Sequence, residues 1–399
     1  MGFFEYLMSK RISQIKMSPM RKIAALLDEA KRKKDIISFG GGAPSLIPPK
    51  EILDNLYNHV RNNPYEISRY GSTQGSVELR EKISEDVFKY SKVKYEKDEI
   101  IITEGSTEGI FLSLSIFLEE GDEVILTDPT YLGYSEVIKF YNAKAIYITQ
   151  DPDTGYQPNL EELKEKITKR TKLIIINSPE NPTGRIIKED IAKAIVEIAK
   201  DKKIFVVVDE AYKHIVYEGK NTYISKYGKD VVISVCSFSK EASIPGFRLG
   251  YVCANKEIVS VIEKVKQFIT LCSNMPAQLI LLNYLASEAK DRYLNEYVIP
   301  TYKKRRDFMA KMLKQYLPEA KFKIPEGAFY IFADFSPYIK NKNVEELADD
   351  ILNKVNVVVI PGSYFGKSGS NYFRLTFVSE NENRIEEGLK RLAKYFNLI

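Results

Sequence analysis

The feature that most constrains this chain is a series of apolar runs separated by helical stretches. The runs are Glu99–Thr103, Glu123–Leu126, Leu173–Ile176, Ile204–Val208 and Val231–Val235. Leu173–Ile176 is apolar at every position and so reads as a strand covered on both faces, with no side left for water. From about residue 98 strands alternate with helices, among them the amphipathic stretch Asp190–Lys200. That order predicts βαβ units and a mainly parallel sheet. Ligands meet such sheets beyond the carboxyl ends of the strands, so the polar residues just past each run are the candidates for chemistry.

Composition sets outer bounds. A chain of 399 residues buries a large core and is expected to split into two domains. A net charge of +5, with bases and acids interspersed, does not argue for a nucleic-acid partner. Cys236, Cys253 and Cys272 are well separated and form no CxxC pair, which fits a reducing cytoplasm and gives no zinc spacing. Two histidines, His59 and His214, leave little room for a His-based triad or metal site. No apolar run is long enough for a transmembrane helix, and Phe3-Phe4 before Lys10-Arg11 is the wrong order for a signal peptide.

The densest chemistry follows Val231–Val235, in Ser237-Phe238-Ser239-Lys240 and on to Arg248. A lysine at a strand exit can form a Schiff base with an aldehyde, while nearby hydroxyls and a guanidinium hold an anion attached to it. Pyridoxal phosphate has both parts. Upstream, Asp209 ends the run Ile204–Val208. A carboxylate there is costly unless a cation such as a protonated pyridine nitrogen meets it, although capping the next helix is an alternative role. Tyr212 can reach the ring's 3-oxygen, and Asn181 offers an amide donor to the same atom. Gly105 leads a helix whose free amides suit a phosphate.

Asn181, Asp209, Tyr212, Lys240 and Arg248 stand at intervals of 28, 3, 28 and 8 residues, with Asn181-Pro182-Thr183-Gly184 as a further marker. In this order and spacing the chain resembles the class I/II aminotransferases of fold type I, over nearly its whole length. The resemblance implies an α/β fold: a mainly parallel seven-stranded sheet in a large domain, residues 45–300, and a smaller α+β domain built from 1–44 and 301–399. It implies pyridoxal 5'-phosphate as cofactor, held by Ser106, Thr107, Ser237, Ser239 and Arg248 at the phosphate and by Tyr131 over the ring. It also implies that Gly42, in Gly40-Gly41-Gly42, lies over the substrate carboxylate, which Arg374 binds, and that Tyr70 crosses a homodimer interface to the neighbouring phosphate. On the residues alone, the alternatives are a plain turn for Gly42, packing for Tyr70, a sheet-edge cover for Tyr131 and a structural ion pair for Arg374.

The expected activity is transfer of an amino group from an L-amino acid to 2-oxoglutarate by a ping-pong route, with Lys240, Asp209 and Tyr212 as catalytic groups. Ser18-Pro19-Met20-Arg21 resembles the 2-aminoadipate and kynurenine-type subgroup, in which an arginine at this point binds a distal carboxylate; a solvated helix arginine is the competing reading of Arg21. Aromatic and branched-chain donors stay open. A C–S lyase shares these residues. A regulator module is disfavoured because only about 38 residues precede the glycine loop and none suggests a helix-turn-helix. Further helices are expected over 12–34, 261–268, 276–298 and 302–317.

Overall fold

The computed structural model describes residues 7–15, 17 and 35–399. The first strand, β1 (Ile37–Ser38), is followed by β2 (Ile100–Thr103), β3 (Glu123–Asp128), β4 (Lys144–Asp151) and β5 (Gln157–Pro158). Next come β6 (Thr171–Asn177), β7 (Phe205–Asp209), β8 (Val232–Ser237) and β9 (Gly250–Cys253). The remaining strands are β10 (Lys321–Phe322), β11 (Tyr330–Asp334), β12 (Val357–Val358), β13 (Ile360–Pro361) and β14 (Tyr372–Thr376).

The main sheet runs β2-β9-β8-β7-β6-β3-β4-β5. The sheet thus has eight strands against the expected seven, the eighth being the two-residue β5 at one edge; β4 and β9 join the five runs named from the sequence. Neighbours from β8 to β4 are parallel, whereas β9 is antiparallel to both β2 and β8. Alternation explains the evenly apolar runs. Leu173 and Ile175 face one layer with Val207 and the helices Gly105–Ser115 and Lys256–Lys266. Ile174 and Ile176 face the other, with Val206, Val208 and the helix Glu189–Lys202. Both faces of the strand are therefore dry.

A second sheet, β10-β11-β14-β13, is antiparallel throughout, and β1 pairs in parallel with β12 beside it. Its core, including Phe329, Ile331, Phe373 and Leu375, is closed by the helices Ile299–Tyr316 and Glu382–Tyr395. The chain segment at Ile37 thus joins residues near 357 in this layer.

Several expected boundaries move. Of the helix read over 12–34, the described residues hold Lys10–Ser13 as helix, while 14, 15 and 17 are not helical. The remainder of that segment, with Arg21 and Lys31–Lys34, lies outside the described residues. The helix read from Val261 begins five residues earlier, where Asn255 caps the Ile258 amide. The stretch 276–298 is three pieces, Met275–Leu285, Ala289–Arg292 and a π-turn over Tyr293–Val298.

Candidate active site

Because the central strands are parallel, Asp128, Asn177, Asp209 and Ser237 all end at one edge of the sheet. At that edge Asn177, Asp209 and Ser237 line a cavity of about 330 Å³. It is lined by Gly42, Ser106, Thr107, Tyr131, Asn181, Asp209, Tyr212, Ser237, Ser239, Lys240, Arg248 and Arg374. The structure thus brings together every expected site residue it describes, except Tyr70. Tyr70 is 82% exposed and does not line this cavity.

The register of β6 on β7 sets Asn177 opposite Asp209. The Asn177 side chain then pins two site elements at once. Its amide donates to the Asp209 carbonyl at 2.9 Å, and its oxygen accepts from the Asn181 backbone N–H at 2.7 Å. Below Asn181, the buried Glu180 and Arg185 form an ion pair at 2.7 Å. The peptide bonds Ser178-Pro179 and Asn181-Pro182 are both cis.

Asp209 is buried and accepts hydrogen bonds from the Tyr134 hydroxyl at 2.7 Å and the Ala211 N–H at 3.0 Å. Burial pushes its carboxyl up from the usual range, against those bonds and the nearby Lys240 charge. Such a carboxylate is set to meet a cation brought by a ligand. The capping alternative fails, since no regular helix starts at Asp209: residues 211–214 form turns.

Lys240 sits in the short helical turn Phe238–Glu241, whose amide at Ser239 is capped by the Ser237 hydroxyl at 3.2 Å. Its Nζ donates to the Gly42 carbonyl at 2.9 Å. Desolvation, with Arg248 and Arg374 nearby, pushes the amine down to about 8. An amine so placed is a usable nucleophile near neutral pH.

The anion cradle is built from backbone shape. Gly105, at φ +76°, opens the helix Gly105–Ser115, and a Cβ there would lie 2.7 Å from Arg248 Nη2. Arg248 itself adopts φ +52° and donates to the Glu104 and Pro245 carbonyls, at 3.2 and 3.1 Å. Arg374 lies opposite, buried, donating to the Asn181 side-chain oxygen at 3.0 Å and the Gly40 carbonyl at 2.8 Å. Its guanidinium stands 4.1 Å from the Tyr330 ring centroid.

Among the described lining residues the formal charges are three cations, Lys240, Arg248 and Arg374, against Asp209 alone. A ligand carrying a phosphate and a carboxylate, with an aldehyde for the lysine and a basic ring nitrogen for Asp209, matches that set. Pyridoxal phosphate with a bound amino acid fits it. Sequence reasoning missed Tyr134, Asn177 and Tyr330. Tyr134 and Asn177 each had a signal, one as a tyrosine one helical turn beyond Tyr131 and the other as the polar residue just past the run Leu173–Ile176; Tyr330 had none, opening an apolar strand.

A parallel sheet with a lysine, a carboxylate and an anion cradle at its carboxyl edge defines a pyridoxal-phosphate enzyme of fold type I. Residues 34–392 match the model of the aminotransferase class I and II family. A probable aspartate/prephenate aminotransferase of Aquifex aeolicus is 34% identical over 97% of this chain and 98% of its own. The aspartate aminotransferase of Thermus thermophilus, solved with maleate, superposes with a TM-score of 0.91 at 27% identity, covering 97% of this chain and 99% of its own. A Methanococcus jannaschii structure, described as similar in its active site to kynurenine aminotransferases, gives a TM-score of 0.87 at 31% identity, covering 98% and 100%. The chain belongs to the class I and II aminotransferases and is a pyridoxal-phosphate-dependent transaminase.

Proposed function

We propose that this transaminase moves the amino group of an L-amino acid to 2-oxoglutarate by a ping-pong mechanism, with the chain's residues acting as follows. Pyridoxal phosphate, when bound, supplies an aldehyde that carries the amino group and a ring that withdraws electrons. Lys240 holds the cofactor between turnovers and, once released, moves the proton at the substrate's Cα. Asp209 keeps the ring nitrogen protonated, while Asn181 and Tyr212 direct hydrogen bonds at the ring oxygen. Tyr131 covers the ring face. Ser106, Thr107, Ser237, Ser239 and Arg248 hold the phosphate, with the first two contributing backbone amides. Arg374 takes the α-carboxylate as a fork, under the Gly42 loop.

The observation that carries this reading is the arrangement of three cations and one buried carboxylate around a lysine amine pushed down to about 8. The same count bears on the donor. Each described cation already has a task, so a dicarboxylic donor needs a further positive group for its distal carboxylate. Arg21 is our candidate, which makes 2-aminoadipate or glutamate the donor. The relatives named for aspartate and prephenate, and the kynurenine-like neighbour, keep short dicarboxylates, aromatic and branched-chain donors in the comparison.

We assign residues 45–300 to a cofactor-binding domain and 1–44 with 301–399 to a smaller mobile one. The active unit is a homodimer in which Tyr70 serves the neighbouring cofactor. Exposed Tyr57, Tyr65, Tyr70, Phe268 and Leu271 support this, being too many apolar side chains to leave wet. Free Cys236, Cys253 and Cys272 suit a cytoplasmic enzyme, and among the described residues no helix is long and apolar enough to cross a membrane.

The test is a half-reaction screen. Single amino acids are added to the yellow holoenzyme, and loss of the visible band is followed with release of the 2-oxo acid. Fast conversion by 2-aminoadipate and glutamate, lost in Arg21→Ala while leucine and phenylalanine are unaffected, supports the assignment. Equal loss for all donors makes Arg21 structural. Elimination products without amino transfer would point instead to a C–S lyase.

A further inference from the structure

Tyr330 stands at the meeting point of two parts of the site that the reaction uses separately. On β11 it faces Thr376, and Phe332 faces Arg374 on β14, so Tyr330 and Arg374 lie on a diagonal across the antiparallel pair. The Arg374 guanidinium lies over the Tyr330 ring, 4.1 Å from its centroid. At the other end of the ring, the Tyr330 hydroxyl is 2.7 Å from that of Tyr212. The Gly42 loop closes over this hydroxyl so tightly that a Cβ at Gly42 would come within 2.4 Å of it. The Tyr330 side chain is almost fully buried.

We propose that Tyr330 is a positioning residue that reports the state of the Arg374 carboxylate site to the Tyr212 hydroxyl. The inference rests on the reading above, in which Tyr212 donates to the cofactor's ring oxygen. Each tyrosine has one hydroxyl proton. If Tyr212 gives its proton into the cavity, the proton in the 2.7 Å bond between the two hydroxyls must come from Tyr330. A donor that itself accepts a hydrogen bond donates more strongly. Tyr330 thereby strengthens Tyr212, and negative charge on the ring oxygen is better held.

Arg374 governs how strongly Tyr330 acts. A cation on the face of a phenol draws electron density from the ring and makes the hydroxyl a better donor. A substrate carboxylate on Arg374 offsets that cation. Tyr330 then donates less strongly, Tyr212 follows, and the proton shared between the ring oxygen and the Lys240 nitrogen is held more tightly. Occupancy of the carboxylate site thus reaches the reacting centre through one ring. The other charged groups facing Tyr212 are Asp209 and Lys240, the latter 5.9 Å from its ring centroid. A parallel route runs from Arg374 through Asn181, so the Tyr330 contribution is partial.

The experiment is a pH titration of the visible band of the holoenzyme, with and without saturating carboxylates that lack an amino group. Maleate, 4-methylpentanoate and 3-phenylpropanoate cover the donor classes. Tyr330→Phe removes the hydroxyl and keeps the ring. It should raise the titration midpoint by about half a pH unit, roughly threefold in the proton affinity, and cut the carboxylate-induced rise by about half. Tyr212→Phe should raise the midpoint further, and adding Tyr330→Phe to it should change nothing more. Equal effects of Tyr330→Phe in both backgrounds, or no effect on the midpoint, would overturn the inference. A silent Tyr212→Phe would instead sink the assignment of Tyr212 on which it rests.

Discussion

Lys240 donates to the Gly42 carbonyl and titrates near 8, and these two facts set its behaviour before any cofactor arrives. Only the neutral amine attacks an aldehyde, so cofactor uptake by the apoprotein should speed up as pH rises through about 8 and level off above it; stopped-flow absorbance checks this. Lys240→Ala should abolish both the visible band and turnover, and retained turnover would refute the mechanism. Beneath the site, Arg185→Met leaves the Glu180 carboxylate buried without its cation, which should cost about 3–5 kcal/mol in denaturant titration. At this scale the sequence was legible where a polar residue follows a buried run, as at Asp209 and Lys240. Asn177 also follows such a run, but its partners were not legible, and neither was Tyr330, which opens the largely apolar strand β11. Only cross-strand register reveals what they touch.

Single glycines govern the elements that frame the cavity. Gly105→Ala must fit a methyl group against Arg248 at φ +76°, so the variant should keep its fold and lose cofactor affinity roughly tenfold or more in equilibrium dialysis. Across the cavity, the Asp128 carboxylate accepts from the N–H groups of Lys367 and Ser368, at 3.1 and 3.2 Å, and from the Ser368 hydroxyl at 2.6 Å. Gly366, at φ +146°, lets the loop pass that carboxylate closely. Asp128 stands three residues before Tyr131, so this contact ties the Tyr131 segment to the loop that leads into β14. Asp128→Asn should therefore raise KM for amino acids several-fold with little change in thermal stability, as steady-state kinetics beside a melting curve would show. Strand–helix alternation made the main sheet readable in advance. Nothing in Val355–Ile360 marks where β12 gives way to β13 and one partner is exchanged for another.

The whole molecule adds what one chain lacks. If Tyr70 serves the opposite cofactor, a hybrid of a Lys240→Ala chain with a Tyr70→Phe chain rebuilds one intact site. Such hybrids should recover about half the wild-type activity at wild-type cofactor affinity, whereas service within one chain would leave them impaired. No single-chain pattern marks Tyr70 for this role; only the resemblance did. The turn from β8 to β9 has a different consequence, one of timing. Lys240 and Arg248 lie on that turn, and β9 pairs both with β8 close by in sequence and with β2, some 150 residues earlier in the chain. So distant a pairing comes late in folding. The β2 edge, where Gly105 and Ser106 follow the strand, is then among the last parts of the site to settle, and a newly made chain should be compact well before it can turn yellow.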